Sequence, residues 1–315
     1  MMKKNMWSRW ILALALVWPF MAAAHDRVRE KENFDFDWKF ILNADDRANA
    51  GMQVSEAGWQ DVQLPHDWSI SLNFDPKLSG SNGHLPGGIG WYRKTFRVDK
   101  KDKGRRIAVL FDGIYSRSDV YVNGQHLGFR PYGFCYQEYD LTPYLNYGAE
   151  NVLAVRVNNP LEHDSVARWY TGAGIYRHAW LVKTAEVHVA SYGTYVTTPV
   201  VTAERAEVRV RTSVANEAER TKTLSVRQQI TDGEGRTVVQ SGKQALQVAA
   251  GQTADTEHTL EIPRPQLWDT EHPYLILCIP RYMTGANWSI LTKRYSACVR
   301  ASSLPTAVSC STGSR

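Results

Sequence analysis

Short apolar runs separated by turn residues fill the chain from residue 34 to residue 262, and this pattern constrains the fold most strongly. Apolar runs with many β-branched residues or alternating polarity stand at Ile107–Phe111, Asp119–Val122 and Val152–Val157. The pair Asn123-Gly124 follows one of them, and Asn-Gly between apolar runs favours the type I′ turn of a β-hairpin. Because no helical period is evident, we predict an all-β fold that starts with a jelly-roll β-sandwich.

A second set of strands begins near Val187. Turn residues at Asp232–Gly235 predict another hairpin inside this set. The set has about the size of an immunoglobulin-like sandwich, with roughly 100 residues. We therefore place a jelly-roll domain at residues 25–186 and an incomplete immunoglobulin-like β-sandwich at residues 187–275. The alternating segments of the second set are His188–Val200, Ala206–Val214, Leu224–Ile230 and Thr253–Ile262.

The first 24 residues have the organisation of a secretory signal peptide. Lys3, Lys4 and Arg9 provide a basic start, an apolar run follows from Trp10 to Phe20, and Ala22–Ala24 offers a cleavage site. The apolar run is short for a membrane-spanning helix, although a retained N-terminal anchor is the alternative. We expect cleavage after residue 24, export to the periplasm or the medium, and no membrane partner afterwards.

Charge is distributed unevenly and argues against nucleic-acid binding. The net charge of +5 divides into +3 for residues 1–24, +5 for residues 276–315 and −3 for residues 25–275. A protein that binds nucleic acid needs a basic patch on its folded part, and this body is mildly acidic. We therefore predict no nucleic-acid partner.

Several motifs, in this order and spacing, resemble the N-terminal domain of family 2 glycoside hydrolases of the β-galactosidase type. Each motif alone is weak, but the ordered set is specific. A further segment, Pro265–Leu275, resembles the end of the immunoglobulin-like domain that follows in this family, so the resemblance covers residues 33–275. The motifs are Leu64–Trp68 (LPHDW), Gly90–Phe96 (GWYRKTF), Phe111–Gly113, Val120–Gly124 (VYVNG), Gly128, Asp140–Thr142, Asn151–Asn159 and Arg168–Arg177 (RWYTGAGIYR).

The resemblance implies that catalysis lies elsewhere in the intact enzyme. Family members hydrolyse β-glycosides with retention, using two Glu residues on the strands of a barrel that follows these domains. We therefore predict no catalytic residue in this chain. Asn216-Glu217 has the same residues as the Asn-Glu pair that carries the family's acid/base. It falls in a short turn after a sandwich strand, so its position argues against a catalytic role.

Four residues are candidate substrate contacts by the resemblance: Arg168, Trp169, His66 and Asp67. Arg168 and Trp169 precede a Gly-rich turn, and in the family this loop extends towards the sugar pocket. The alternative for both residues is a structural role. His66 and Asp67 could touch sugar hydroxyls, but hydrogen bonding within the protein beside Trp68 is the more ordinary role. Relatives can place an Asp in this loop, where this chain has Val166 and Ala167.

No metal site and no cofactor are predicted for this chain. The cysteine spacings match no zinc pattern, and Cys135 stands alone in the first 275 residues. Where the family uses a divalent metal, the resemblance places it in the barrel. The expected partner is a carbohydrate, a β-galactoside-type glycan, whereas the oligomeric state stays open.

Residues 276–315 break the pattern of the body. They contain no Asp or Glu and hold Cys278, Cys298 and Cys310. A divergent or disordered C-terminus is one explanation. The sharper hypothesis is a one-base deletion near the Leu275 codon, because permitted codons read in the restored frame give LYSVYTEVYDGRKL, which continues the family pattern. We expect no regular strand after Leu275 and a poorly stable C-terminal half; sequencing the gene through that codon tests the hypothesis.

The sequence thus predicts the accessory, sugar-binding part of an exported retaining β-glycosidase, inactive alone because the barrel is absent. Two alternatives stay open. One is a stand-alone carbohydrate-binding module, which a jelly roll rich in aromatic residues permits. The other is a structural or assembly domain. The preferred sugar is not determined, because β-glucuronidases and β-mannosidases share the architecture.

Overall fold

The computed structural model describes residues 29–42, 45–80, 83–159, 169–283, 288–290 and 294–298. The signal-peptide prediction for residues 1–24 lies outside this part of the chain. Within these ranges, none of the helices has the length and apolar character needed to cross a membrane. The regular elements are β-strands with a few 3₁₀ turns, so the all-β prediction is confirmed.

The first sandwich consists of two antiparallel sheets. One has the strand order β1-β10-β5-β8, and the other has the order β3-β2-β4-β9-β6-β7. Its 3₁₀ turns are Arg47–Ala50, Ser69–Ser71, Lys100–Asp102 and Thr142–Tyr144. The strands are β1 Glu30–Asn33, β2 Trp38–Leu42, β3 Gln60–Val62, β4 Gly88–Arg97, β5 Arg106–Phe111, β6 Ser118–Val122, β7 Gln125–Arg130, β8 Gln137–Asp140, β9 Glu150–Asn159 and β10 Ala179–Thr184.

Aromatic side chains form the centre of this sandwich. Trp38, Tyr92 and Phe111 are completely buried between the two sheets. The indole of Trp38 donates a hydrogen bond to the carbonyl of Phe34 at 2.7 Å, so its polar atom is satisfied inside the core. Burial of so much aromatic surface is the main stabilising contribution here, because these side chains remove large apolar areas from water.

The predicted Asn-Gly hairpin is confirmed. It joins β6 and β7, with Val122 opposite Gln125. Asn123 has φ of 50° and Gly124 has φ of 83°, and a type I′ turn needs positive φ at both central residues. The Asn123 side chain accepts a hydrogen bond from the amide of Val152 at 2.9 Å, which ties the turn to β9.

The second sandwich also has two antiparallel sheets. Strands β11, β12 and β16 form one, and β14, β13, β17 and β18 form the other, with β15 paired to β13 and β19 paired to β17. The predicted hairpin at Asp232–Gly235 is confirmed and joins β13 to β14. The strands are β11 Val187–Val201, β12 Arg205–Asn216, β13 Lys222–Thr231, β14 Thr237–Gln240, β15 Gln244–Val248, β16 Gln252–Pro263, β17 Ile276–Met283, β18 Trp288–Ile290 and β19 Arg294–Ser296.

Strand β17 differs from the expectation that no regular strand follows Leu275. It pairs antiparallel with β13, and Cys278 lies opposite Ile230. Ile276 and Cys278 are buried in the core of the second sandwich, since side chains two residues apart on a strand share a face. The apolar residues at the start of this segment therefore form the strand that pairs with β13. This holds whether or not a frameshift produced them. Residues 299–315 lie outside the described part.

A charged cluster connects the two sandwiches. Arg106 on β5 pairs with Glu138 on β8 at 2.8 Å and with Glu217 of the second sandwich at 3.4 Å. The hydroxyl of Ser191 on β11 donates a hydrogen bond to the Glu138 carboxylate. Glu217, the residue that imitates a catalytic acid, is therefore an ion-pair partner at the domain junction.

Stability is expected to fall as the pH is lowered from about 6.5 to about 4, because His188 at this junction is buried. Burial, together with the charges of Arg106 and Arg29, lowers the pKa of His188 to about 4 from an ordinary value of 6.5. The unfolded chain binds the proton first as the pH falls, so unfolding is favoured by up to about 1.4 kcal/mol per pH unit in this window. Chemical denaturation at several pH values measures this slope.

The test variant is His188→Gln and the control is His84→Gln, since His84 is exposed. The first change should flatten the dependence between pH 4 and 6.5, whereas the second should leave it unaltered. Equal slopes for the two variants would contradict the role given to His188.

Candidate substrate-binding site

Two segments outside the sheets meet at one end of the first sandwich. The backbone N–H of His66 donates to the carbonyl of Ile175 at 2.8 Å, and that of Trp68 donates to the carbonyl of Ala173 at 3.2 Å. Trp68 is 1% exposed and stacks on Phe40 with ring centroids 5.5 Å apart. The LPHDW motif therefore fixes the Gly-rich segment that follows Trp169 onto the core.

Asp67 is the centre of this junction. Its Oδ1 accepts hydrogen bonds from the backbone N–H of Ser69 and of Ala173, both at 3.0 Å. Its Oδ2 accepts a hydrogen bond from the phenol of Tyr170 at 2.5 Å. Ser69 and Ala173 are completely buried, so the carboxylate satisfies two N–H groups that have little access to water. Asp67 thus holds Tyr170 and the chain after it in place.

The pKa values of two side chains beside Asp67, His66 and Tyr170, differ from their ordinary values. Burial lowers the pKa of His66, an effect that the nearby Asp67 carboxylate opposes, so the imidazole is favoured in its neutral form. Its Nδ1 lies 2.8 Å from the hydroxyl of the buried Tyr92. Burial and the hydrogen bond to Asp67 raise the pKa of Tyr170 far above its usual value. Tyr170 therefore keeps its phenol proton as a donor to Asp67.

Gly174 permits the close approach of the two segments. Its φ is +117°, and a Cβ atom there would lie 2.2 Å from the Tyr92 hydroxyl and 2.8 Å from the carbonyl of His66. Gly174 also exchanges two backbone hydrogen bonds with Tyr115, at 2.7 and 2.9 Å. Only glycine combines this conformation with so little space.

The surface that this arrangement presents is aromatic. Trp169 is 61% exposed, and Tyr170 is 38% exposed. An exposed indole beside an anchored phenol provides flat faces and a hydroxyl of the kind that saccharides stack on and bond to. Of the four predicted contacts, the structure brings His66 and Asp67 together with the loop that carries Trp169, while Arg168 lies outside the described residues.

The contacts assign internal bonding to His66 and Asp67, the more ordinary of their two predicted roles. Sequence reasoning missed Tyr170, which both touches Asp67 and is partly exposed. Its position next to Trp169 in the same motif was the available signal. It also missed Tyr92 as the partner of His66, because the two residues lie 26 positions apart.

An open cleft of about 420 Å³ lies between the edge strands β7 and β8 of the first sandwich. Its lining includes Phe129 and Tyr144, which are 51% and 43% exposed, and the charged residues Arg130 and Asp140. Aromatic faces with polar groups around them are typical of small-molecule sites, so this cleft is a second location that could accept a sugar.

The chain combines a jelly roll that carries an aromatic loop with an immunoglobulin-like sandwich that follows it. This combination is typical of the accessory domains of carbohydrate-active enzymes. The profile of the glycosyl hydrolases family 2 sugar binding domain matches residues 32–185. A second profile, glycosyl hydrolases family 2, matches residues 187–285. The chain belongs to glycosyl hydrolase family 2. The second match extends past Leu275, so the resemblance does not end at that residue.

Similar proteins include enzymes named for different sugars. A β-galactosidase of Bacteroides ovatus is 42% identical over 263 residues, which are 81% of this chain and 30% of the relative. A β-glucuronidase of Formosa agariphila is 33% identical over 274 residues, 78% of this chain and 27% of the relative. The structure of a family 2 member from Bacteroides cellulosilyticus matches with a TM-score of 0.75 and 36% identity over 84% of this chain and 34% of that one. The chain spans about a third of the length of these relatives.

Proposed function

We propose that this chain is the accessory, sugar-contacting part of an exported retaining β-glycosidase of the β-galactosidase type. The observation that carries the proposal is the Asp67 junction, which fixes a loop that exposes Trp169 and Tyr170. The function of the fixed loop is to place these aromatic faces against a β-galactoside-type glycan. Rigid placement matters because a contact helps binding only if little entropy is lost in ordering it.

The chemical step is assigned to residues outside this chain. Retaining hydrolysis needs two carboxyl groups about 5–5.5 Å apart on opposite sides of the scissile bond. The family resemblance places those carboxyls on barrel strands, and the matched region is 30% of the β-galactosidase relative. The chain alone is therefore proposed to bind without hydrolysing. Export through the leader belongs to the same proposal, and N-terminal sequencing of secreted protein should start at His25.

Trp169→Ala is expected to lower kcat/KM for a β-galactoside about fivefold, because it removes a stacking face worth about 1 kcal/mol. The measurement uses a chimera in which residues 25–275 replace the matching segment of the Bacteroides ovatus β-galactosidase. The unmodified chimera should hydrolyse nitrophenyl β-galactoside, whereas the 315-residue chain alone should not.

The matched control is Tyr195→Ala in the same chimera, since Tyr195 is similarly exposed but lies on β11 of the second sandwich. This change should leave kcat/KM unaltered. If Trp169→Ala and Tyr195→Ala give the same activity, the loop does not contact the sugar. Hydrolysis by the 315-residue chain would overturn the assignment of catalysis to residues outside it.

The cleft between β7 and β8 favours a second candidate function, that of a stand-alone carbohydrate-binding module. Phe129 would then provide the stacking face. Glycan-array binding by the full chain that is lost in Phe129→Ala and kept in Trp169→Ala would favour this second function over the first.

A further inference from the structure

A crevice between the two sandwiches is lined by three positively charged residues. Its volume is about 220 Å³, and Arg29, Lys31 and Arg294 contribute to its lining. Arg29 and Lys31 belong to the start of the first sandwich, whereas Arg294 begins β19 of the second. This interdomain crevice is smaller than the roughly 300–1,000 Å³ of sites for drug-sized ligands, so its size suits a single sugar ring or a smaller group.

No carboxylate lines the interdomain crevice in the part of the chain that the structure describes. Two carboxylates that act electrostatically on Arg29 and Lys31, those of Glu138 and Asp112, have other hydrogen-bond partners. Glu138 pairs with Arg106 at 2.8 Å and accepts a hydrogen bond from Ser191. Asp112 accepts a hydrogen bond from the indole of Trp180 at 2.8 Å. The described lining therefore contains three cations and no carboxylate, and the two carboxylates that act on these cations lie outside it.

The electrostatics of the two lining cations agree with this description. Burial lowers the pKa of Arg29, although the Glu138 carboxylate opposes this shift. Burial also lowers the pKa of Lys31, with Asp112 opposing the shift and the charge of Arg29 adding to it. Like charges that share a partly desolvated site repel each other, and an anion between them removes that repulsion. Lys31 also lies over the ring of Trp180, with its Nζ 3.8 Å from the ring centroid.

A β-bulge in strand β11 shapes the wall on the side of the second sandwich. The register with β12 shifts between Val189 and Thr194. Tyr192 within the bulge has φ of 55°, a left-handed conformation that few residues other than glycine adopt. A Cβ atom at Gly193 would lie 2.9 Å from the carbonyl oxygens of Ala190 and Ser213, so this position needs glycine. Bulges of this kind commonly redirect a side chain at a functional site.

The bulge also fixes one cation and exposes one aromatic ring. The guanidinium of Arg29 donates to the carbonyl of Val189 at 2.6 Å, which sets the position of its charge. Tyr192 is 56% exposed and packs against Tyr136, with ring centroids 4.5 Å apart. The lining thus combines fixed cations with an exposed aromatic ring. Cations select an anionic group, and an aromatic face selects a sugar ring.

We propose that the interdomain crevice binds an acidic saccharide, with the carboxylate or sulfate group held by Arg29, Lys31 and Arg294 and the sugar ring placed against Tyr192. This site is built from residues other than those of the Trp169 loop. Because it spans both sandwiches, an occupied site also ties the two sandwiches together by charge-assisted hydrogen bonds.

The test measures binding to the full chain by calorimetry at low ionic strength, with glucuronic acid, galactose 6-sulfate, neutral galactose and inorganic sulfate as probes. Both acidic sugars should bind, and galactose should bind at least tenfold more weakly. Added salt should weaken the binding of the acidic sugars, because it screens the charges. Inorganic sulfate should bind more weakly than galactose 6-sulfate, since it has no ring to place on Tyr192. Comparison of the two acidic sugars shows whether the carboxylate or the sulfate is preferred.

Lys31→Gln should weaken the binding of both acidic sugars at least tenfold, about 1.4 kcal/mol, since it removes one charge-assisted hydrogen bond. Lys77→Gln is the matched control, because Lys77 also belongs to the first sandwich but does not line the crevice. Tyr192→Ala should weaken the binding of galactose 6-sulfate but leave the binding of inorganic sulfate unaltered. Equal binding by the Lys31 and Lys77 variants overturns the site. Sulfate binding as tight as that of galactose 6-sulfate overturns its assignment to a saccharide.

Discussion

Gly174→Ala is expected to lower the free energy of unfolding of the first sandwich by about 3 kcal/mol. About 1 kcal/mol comes from the backbone, because φ of +117° is unfavourable for any residue with a Cβ. About 2 kcal/mol comes from overlap, since the new methyl group would lie 2.2 Å from the Tyr92 hydroxyl in a packed interior. Urea denaturation followed by tryptophan fluorescence measures the change.

Two other glycines separate these contributions. Gly58 has φ of +84° with nothing within 4 Å of an added Cβ, so Gly58→Ala should show only the backbone cost of about 1 kcal/mol. Gly233, in a hairpin of the second sandwich, has open space and no positive φ, so Gly233→Ala should change the stability of that sandwich by less than about 0.5 kcal/mol. A loss at Gly174 no larger than that at Gly58 would show that the two segments do not meet as closely as described.

Asp67→Ala is the second change with a large expected effect, a loss of about 3 kcal/mol. It removes the acceptor of three hydrogen bonds and leaves the N–H groups of Ser69 and Ala173 buried without their partner. Each abandoned buried donor costs about 1–3 kcal/mol. In the galactosidase chimera, the same change should lower kcat/KM, because the loop that carries Trp169 and Tyr170 loses its anchor.

Asp67→Asn and Tyr170→Phe are the controls for this prediction. The amide retains one oxygen that can accept from Ser69 and Ala173, so the loss should be about 1 kcal/mol. Tyr170→Phe removes only the phenol bond and should also cost about 1 kcal/mol. If Asp67→Ala is no more harmful than Asp67→Asn, the backbone bonds to Asp67 do not hold the loop.

Much of the architecture could be read from local chemistry. The runs at Ile107–Phe111 and Val152–Val157 form the centres of β5 and β9, because β-branched apolar residues between turn residues have few other stable arrangements. The turn at Asn123-Gly124 was predictable because positive φ at both positions suits these residues. The prediction failed at Ile276–Met283, where charge composition and irregular alternation suggested no strand. Pairing with β13 and burial of Ile276 and Cys278 decided that segment instead.

The sequence by itself determined the all-β class, the hairpin turns and the family, since these depend on short-range patterns and on the order of motifs. Only the tertiary structure decided what the motif residues do. It showed that Asp67 binds Tyr170, although 103 residues separate them, and that Glu217 pairs with Arg106 at the domain junction. It also brought Arg29 and Arg294 to one crevice. Such contacts join residues distant along the chain, and no local propensity encodes them, because they depend on how complete sheets pack against one another.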